Sequence, residues 1–326
     1  MGRFTPSNSL VVIGLEDKSL AGTLRTDLGS TLLDPATMAH MATMFTSDGT
    51  DAVISVIYHD ESFDPAETVD ALETAFPRHG LKIADVLEVT GNHIRDYHQP
   101  GPGTSLTDGD TLLPADTPER AVDRFLTPPL PSRAAALHLA VAEHGARLGG
   151  HRISTAEYLE DWHAAINGSA DSAQWLTDNH HHELLARMVR SLYHQELRDA
   201  LAGSVAIGFD SAQKGLASRD DALEVWGLAL TGDTGARPRW DLMDRFARAL
   251  AVVASATRDG HTSRDSALTL MAWIEWCRGR GSHSGAFLDR VDSEYPLAHV
   301  LRRVVDQGHI CKWARNPNTA WSRARL

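Results

Sequence analysis

The sequence predicts a two-part chain: a small α/β domain with a mixed β-sheet over residues 1–99, a Gly/Pro-rich linker over 100–113, and an all-α domain over 114–326. Three observations predict it. Short β-branched apolar runs alternate with helical apolar stripes only as far as about Tyr97. Gly and Pro then crowd Pro100-Gly101-Pro102-Gly103, a density that breaks regular structure. Beyond Ser132 the apolar residues recur at helical spacing alone. The length of 326 residues, with 42% hydrophobic and 23% charged, fits two globular domains and excludes extended disorder.

Leu10-Val11-Val12-Ile13-Gly14-Leu15 reads as a buried strand. The polar turn Glu16-Asp17-Lys18-Ser19 follows, and Leu20 to Leu28 alternates with a period of two, which predicts a hairpin. Asp34-Pro35 is an N-cap followed by Pro at the first helical position; Met38, Met41, Ala42 and Phe45 are the apolar stripe, and Gly49 is the stop. Ala52 to Tyr58 is the most apolar run, predicting a central strand covered on both faces. Asp64-Pro65 repeats the cap, with Val69, Leu72 and Phe76 behind it. Leu81 to Val89 alternates again, and a short last strand is expected within Asn92 to Tyr97. The order strand, strand, helix, strand, helix, strand implies a mixed sheet.

In the second part, helices are expected over 118–125, 133–147, 154–167, 180–202, 219–230, 240–257, 264–279 and 283–308. Leu242, Phe246, Leu250 and Val253 illustrate the stripe, and Gly149-Gly150, Gly232 to Gly235 and Gly279 to Gly281 are the joints. Residues 266–299 are similar to one tetratricopeptide-like hairpin, with small residues at Ala267, Ala272 and Ala286 and Pro296 after the second helix. No clean second copy exists.

The net charge of −12 is unevenly distributed. Residues 1–128 hold 8 Lys+Arg and 20 Asp+Glu, which is the whole excess. Such a surface repels phosphate backbones and argues against nucleic acid as a partner. The tail is the exception: Arg302, Arg303, Lys312, Arg315, Arg323 and Arg325 are interleaved with Trp313 and Trp321. It reads as a solvated end in preference to a nucleic-acid contact. The longest apolar stretch, Ala249 to Thr257, lies between Arg248 and Arg258 and is too short to span a bilayer. The first residues lack the pattern of a signal peptide. Two cysteines, Cys277 and Cys311, fit partly buried thiols in a reducing cytosol, with a disulfide or a metal pair as the alternative.

Few polar groups are arranged for chemistry. His59-Asp60-Glu61 stands just past the carboxyl end of the presumed central strand, where ligands gather in open α/β sheets, so it is the candidate catalytic cluster. Asp178 to Glu183 is the densest polar segment; His180 and His182, joined by His163 and His194, are the candidate metal ligands. A zinc-protease motif is broken there, because Ala186 stands where the second His must be. Gly281-Ser282-His283-Ser284-Gly285 has His where a nucleophile elbow needs Ser. No phosphate-binding loop is present, and no motif specifies a cofactor. Trp273 and Trp276 share a helix face, which favours packing in the core; if that face is exposed, they and Tyr295 are the candidate interface.

Two regions carry a family resemblance. Phe4-Thr5-Pro6-Ser7-Asn8-Ser9-Leu10-Val11-Val12-Ile13-Gly14-Leu15 resembles the opening motif of the actinobacterial family called domain of unknown function 4192. Ala272-Trp273-Ile274-Glu275-Trp276, Gly281, Leu288-Asp289-Arg290 and Tyr295-Pro296-Leu297-Ala298 resemble its C-terminal helical pair. The resemblance spans nearly the whole chain and implies a bacterial cytosolic context. It brings no catalytic residues, since the family has no agreed activity. Members usually carry a helix upstream of the opening motif, and here only Met1 to Arg3 precede it; a Cys-rich stretch found near the position of Tyr97 is also absent.

With no complete catalytic set, the sequence points to a cytosolic protein-interaction or scaffold module that binds another protein or itself. The alternative is a metal-dependent hydrolase or nucleotide-binding enzyme working at His59, Asp60 and Glu61.

Overall fold

The computed structural model describes residues 8–17, 19–29, 34–47, 49–99, 101, 103–105, 122–123, 125–126, 131–149, 153–167, 176–210, 213, 216, 226–316 and 318–321. The chain divides into two compact units, Met1–Thr117 and Pro118–Leu326.

The first unit is the mixed sheet with its helices. Its strands are β1 (Ser9–Glu16), β2 (Ser19–Asp27), β3 (Ala52–His59), β4 (Lys82–Thr90), β5 (His93–Asp96) and β6 (Thr104–Ser105), in the spatial order β2-β1-β3-β4-β5-β6. β1 runs antiparallel to both β2 and β3, β3 is parallel to β4, and β5 and β6 close the edge in antiparallel pairs. The parallel pair β3–β4 flanks helix α2 (Ala66–Arg78), as a strand–helix–strand crossover requires.

Local chemistry starts both helices where the cap signals lie. The Asp34 carboxylate accepts from the Thr37 N–H ahead of α1 (Pro35–Ser47), and the Asp64 carboxylate accepts from the Ala66 N–H ahead of α2. Met38, Met41, Ala42 and Phe45 of α1 and Val69, Leu72 and Phe76 of α2 bury against Leu10, Val12, Val53, Ile57 and Val86. Pair register places these sheet residues on one face. On the opposite face Val56 is buried, but Ile54 and Tyr58 remain half-buried, so β3 is less symmetrically covered than its composition predicts. Gly14 shows how closely α1 lies on the sheet, since a Cβ there would stand 2.8 Å from the Phe45 ring. Thr104–Ser105 forms the edge strand β6 inside the stretch that reads as linker; most of 100–113 lies outside the described residues.

The second unit is helical throughout its described residues: α3 (Pro131–Leu148), α4 (Thr155–Asn167), a 3-10 turn at Asn179–His181, α5 (His182–Ser191), α6 (Gln195–Ile207), α7 (Trp240–Ser255), α8 (Thr262–Cys277), α9 (Gly281–Leu288), α10 (Pro296–Asp306) and α11 (Lys312–Arg315). Much of the helices expected over 118–125 and 219–230 lies outside the described residues. Ser154 and Glu157 form a reciprocal capping box that starts α4: the Ser154 N–H donates to the Glu157 carboxylate at 2.7 Å and the Glu157 N–H donates to the Ser154 hydroxyl at 3.2 Å. Helix α8 is buried from Ala267 through Cys277 without interruption, the signature of a helix apolar on all sides that forms the core of a bundle.

Two of the expected helices are divided. The helix expected over 180–202 breaks at Leu192–His194, because two hydroxyls of α8 take carbonyls at the end of α5. Ser263 donates to the Val189 carbonyl at 2.6 Å and Ser266 to the Leu192 carbonyl at 3.0 Å. The helix expected over 283–308 breaks before Pro296, which holds Tyr295 in an extended conformation and starts α10 at its first position.

Candidate functional site

Three ionisable side chains meet at the carboxyl end of the parallel pair, and only one of them belongs to the cluster that adjacency in sequence suggests. His59 closes β3. The parallel register sets Ile57 beside Glu88 and His59 beside Thr90, so Glu88 projects on the same face as His59, one residue pair away. Antiparallel pairing of β4 with β5 sets Arg95 directly opposite Glu88. The His59 Nε2–H donates to Glu88 Oε1 at 2.7 Å. Arg95 grips the same carboxylate twice, Nε to Oε2 at 2.7 Å and Nη2 to Oε1 at 2.8 Å. His59 Nδ1 lies 2.6 Å from the backbone carbonyl of Asp60.

Both ring nitrogens thus face oxygen acceptors, the Asp60 carbonyl on one side and the Glu88 carboxylate on the other. The Arg95 guanidinium holds the Glu88 carboxyl below the ordinary glutamate range, against the upward push of burial, and His59 adds to that pull. The side chains of His59 and Glu88 are each 4% exposed and that of Arg95 is 49% exposed. The result is a buried carboxylate held between an imidazole and a half-exposed guanidinium. The Phe63 ring packs against the imidazole at 5.5 Å. Beside Arg95 lies a shallow depression of 260 Å³, bordered by Ile94, Gln99 and Gly103.

Asp60 and Glu61 do not join this cluster. Both are exposed, and Asp60 folds back on the next turn, accepting from the Ser62 N–H at 2.9 Å and the Ser62 hydroxyl at 2.5 Å. Those bonds hold its carboxyl below the usual range. Adjacent residues at a strand end point different ways, and the real neighbours of His59 come from the next two strands. Glu88 and Arg95 are the residues that local spacing misses. Glu88 carries one signal: an acid flanked by Leu87 and Val89 in a buried strand needs a cation.

The four candidate metal ligands also go separate ways. His163 packs on Phe209 with ring centres 4.4 Å apart, and His194 stacks on Tyr158 at 5.9 Å. His180 is exposed on the 3-10 turn, where its N–H donates to Asp178. His182 is half-buried; burial and the neighbouring His144 lower its pKa. Among the described residues no three His, Cys, Asp or Glu side chains gather as a metal site.

The candidate interface is core. Trp273 is 3% exposed and donates to the Leu230 carbonyl at 3.0 Å; Trp276 donates to the His309 carbonyl at 2.6 Å. The Tyr295 hydroxyl sits between Ser266 Oγ at 2.5 Å and Arg198 Nη1 at 3.0 Å. The tail departs from a solvated end as well. Trp313 is fully buried, Lys312 pairs with Asp233, and the guanidinium carbons of Arg278 and Arg280 lie 5.2 and 6.0 Å from the Trp321 ring centre. Arg323 and Arg325 lie outside the described residues. Among the described residues no helix is long and apolar enough to cross a membrane.

Comparison with known proteins gives one match. The family model described as Domain of unknown function (DUF4192) matches residues 3–309. No curated protein and no solved structure matches. Nearly the whole chain, from the opening strand through the last long helix, is thus accounted for by a single family model, and the chain belongs to the DUF4192 family.

Proposed function

We propose that this protein is a non-catalytic interaction module of the cytosol whose acidic α/β unit docks a basic protein surface. The observation that carries the reading is the saturation of the strand-end cluster. Both ring nitrogens of His59 are engaged, and the Glu88 carboxylate is held from two sides. A general base needs a free nitrogen within reach of substrate, and this imidazole has both nitrogens engaged. The exposed carboxylates surround the site without entering it: Asp60, Glu61 and Asp64 precede α2, and Glu67, Asp70 and Glu73 lie on it. A surface of that sign steers a cationic partner and repels nucleic acid. Two free thiols support a reducing compartment.

The test is cross-linking and mass spectrometry in a native lysate, with the purified chain run in parallel by light scattering. A recurrent basic partner, lost above about 0.5 M salt and lost in a Glu67→Lys/Asp70→Lys/Glu73→Lys variant, supports the reading. A strict monomer whose recovered set is unchanged by the charge reversal overturns it.

A second reading rests on the position of the cluster, because the carboxyl end of a parallel pair is where α/β enzymes bind substrate. Turnover of a phosphoester or nucleotide by the wild type, abolished in a folded His59→Gln variant, would favour it.

A further inference from the structure

Cys277 and Cys311 are far apart in sequence, yet the fold brings their side chains within hydrogen-bonding reach of each other. Cys277 is the last residue of α8, and Cys311 is the residue that caps α11. Both are free and fully buried. Several independent contacts bind the two segments together. The Trp276 indole, one residue before Cys277, donates to the His309 carbonyl, two residues before Cys311. A Cβ on Gly279 would touch the Ala314 methyl at 3.2 Å, and Arg278 lies against Trp321. The Cys277 thiol donates to Cys311 Sγ, and the backbone N–H groups of Trp313 and Ala314 point at the same sulfur. Gly232 makes room for this sulfur. Its φ is +75°, and a Cβ there would stand 2.3 Å from Cys311 Sγ, so no other residue type fits.

We propose that Cys277 and Cys311 are an oxidative cross-linking site, closed to an intramolecular disulfide by a small peroxide. Cys311 is the attacking sulfur: its own hydrogen points at the Thr231 carbonyl, 3.7 Å away, and three further donors favour the thiolate once that proton leaves, whereas burial disfavours the charge on Cys277. The Cys311 thiolate attacks one peroxide oxygen and expels hydroxide, which takes up the proton that Cys311 lost, leaving a sulfenic acid. The Cys277 sulfur then attacks the Cys311 sulfur; the S–S bond forms, the S–O bond breaks and water leaves with the Cys277 proton. Two thiols and one hydrogen peroxide give one disulfide and two waters. The bond ties the end of the central helix to the segment that carries Trp313, closing a loop from residue 277 to 311. Because these thiols are deeply enclosed, only an oxidant of water's size reaches them through transient opening of the tail.

The experiment treats the folded full chain with hydrogen peroxide, quenches by alkylation under denaturing conditions and measures mass. The expected result is a monomer lighter by about 2 Da before alkylation, with no alkylated cysteine, and a linked pair of tryptic peptides 265–278 and 304–312. Its melting temperature rises by about 5 °C, and the rise reverses with reductant. Cys277→Ser and Cys311→Ser each abolish the mass loss and the shift. The proposal is overturned if both thiols stay alkylatable at a peroxide dose that oxidises the unfolded chain. Sulfinic or sulfonic acids without the linked peptide overturn it too, as does a disulfide between chains.

Discussion

The two units satisfy their buried polar groups by different mixtures of partners. In the α/β unit one buried carboxylate is held by side chains of the two neighbouring strands, Glu88 lying between His59 and Arg95. In the helical unit ion pairs such as Arg278 with Asp244 and Glu275 stand beside many side-chain donors that meet backbone carbonyls across the core. Trp240, Trp273 and Trp276 donate to Thr319, Leu230 and His309, and Ser263 and Ser266 donate to Val189 and Leu192. The difference follows from secondary structure. Within a sheet the backbone N–H groups are already paired in the ladder, so a buried carboxylate must find its donors on side chains, as Glu88 does on His59 and Arg95. Helix ends leave carbonyls over, and an indole or hydroxyl can satisfy them while its apolar body packs.

The largest test of this contrast is Trp162→Ala. Trp162 is fully buried, donates to the Ser191 hydroxyl at 2.8 Å and meets Phe246 edge-on at 5.3 Å. Urea unfolding is expected to show a loss of about 4 kcal/mol. A loss below about 1 kcal/mol would mean the indoles do not anchor this core.

Glu88→Ala should cost about 2 kcal/mol, less than the roughly 3–5 typical of a fully enclosed pair, because the half-exposed Arg95 can turn to water. Acid response then separates the units. The folded pKa of Glu88 is lowered, so its contribution is complete above the ordinary glutamate value of about 4.3 and is lost as pH falls through the lower folded value. Burial raises Asp265 in the helical unit, so its charge is a cost at neutral pH that disappears as pH falls through the raised value. Denaturation followed from pH 7 to 3 should show the deficit of Glu88→Gln shrinking at the acid end. The gain of Asp265→Asn should vanish earlier in the descent. Equal pH slopes in both variants and the wild type would break the contrast.

The smallest effect belongs to Asp60→Ala and Glu61→Ala. Each is expected within about 0.5 kcal/mol of wild type, since both side chains are exposed. The His59 ring resonances should stay in place in these variants and move in Glu88→Gln. Movement with Glu61→Ala would return that residue to the cluster.

Much of the fold was legible in the residues. Continuous apolar runs mark β1 and β3, alternation marks β2 and β4, and Asp34-Pro35 and Asp64-Pro65 mark both helix starts. What could not be read is whatever depends on partners distant in the chain. The His59–Glu88 contact needs the offset between β3 and β4, which α2 and its packing decide. The break at Leu192 needs the hydroxyls of Ser263 and Ser266, some seventy positions later. Trp273 and Trp276 show the same limit, because one stripe of indoles reads alike whether it meets solvent or core.

The hydrogen bond from Trp240 to the Thr319 carbonyl spans 79 positions. Together with the buried Trp313 it has a consequence for synthesis. As the polypeptide emerges from the ribosome, β1 to β6 can assemble early, since their pairings lie within the first 105 residues. The helical unit must wait with an unfilled interior until its last turn clears the exit tunnel. A nascent protein stalled before that point would present bare indole-lined surface to chaperones.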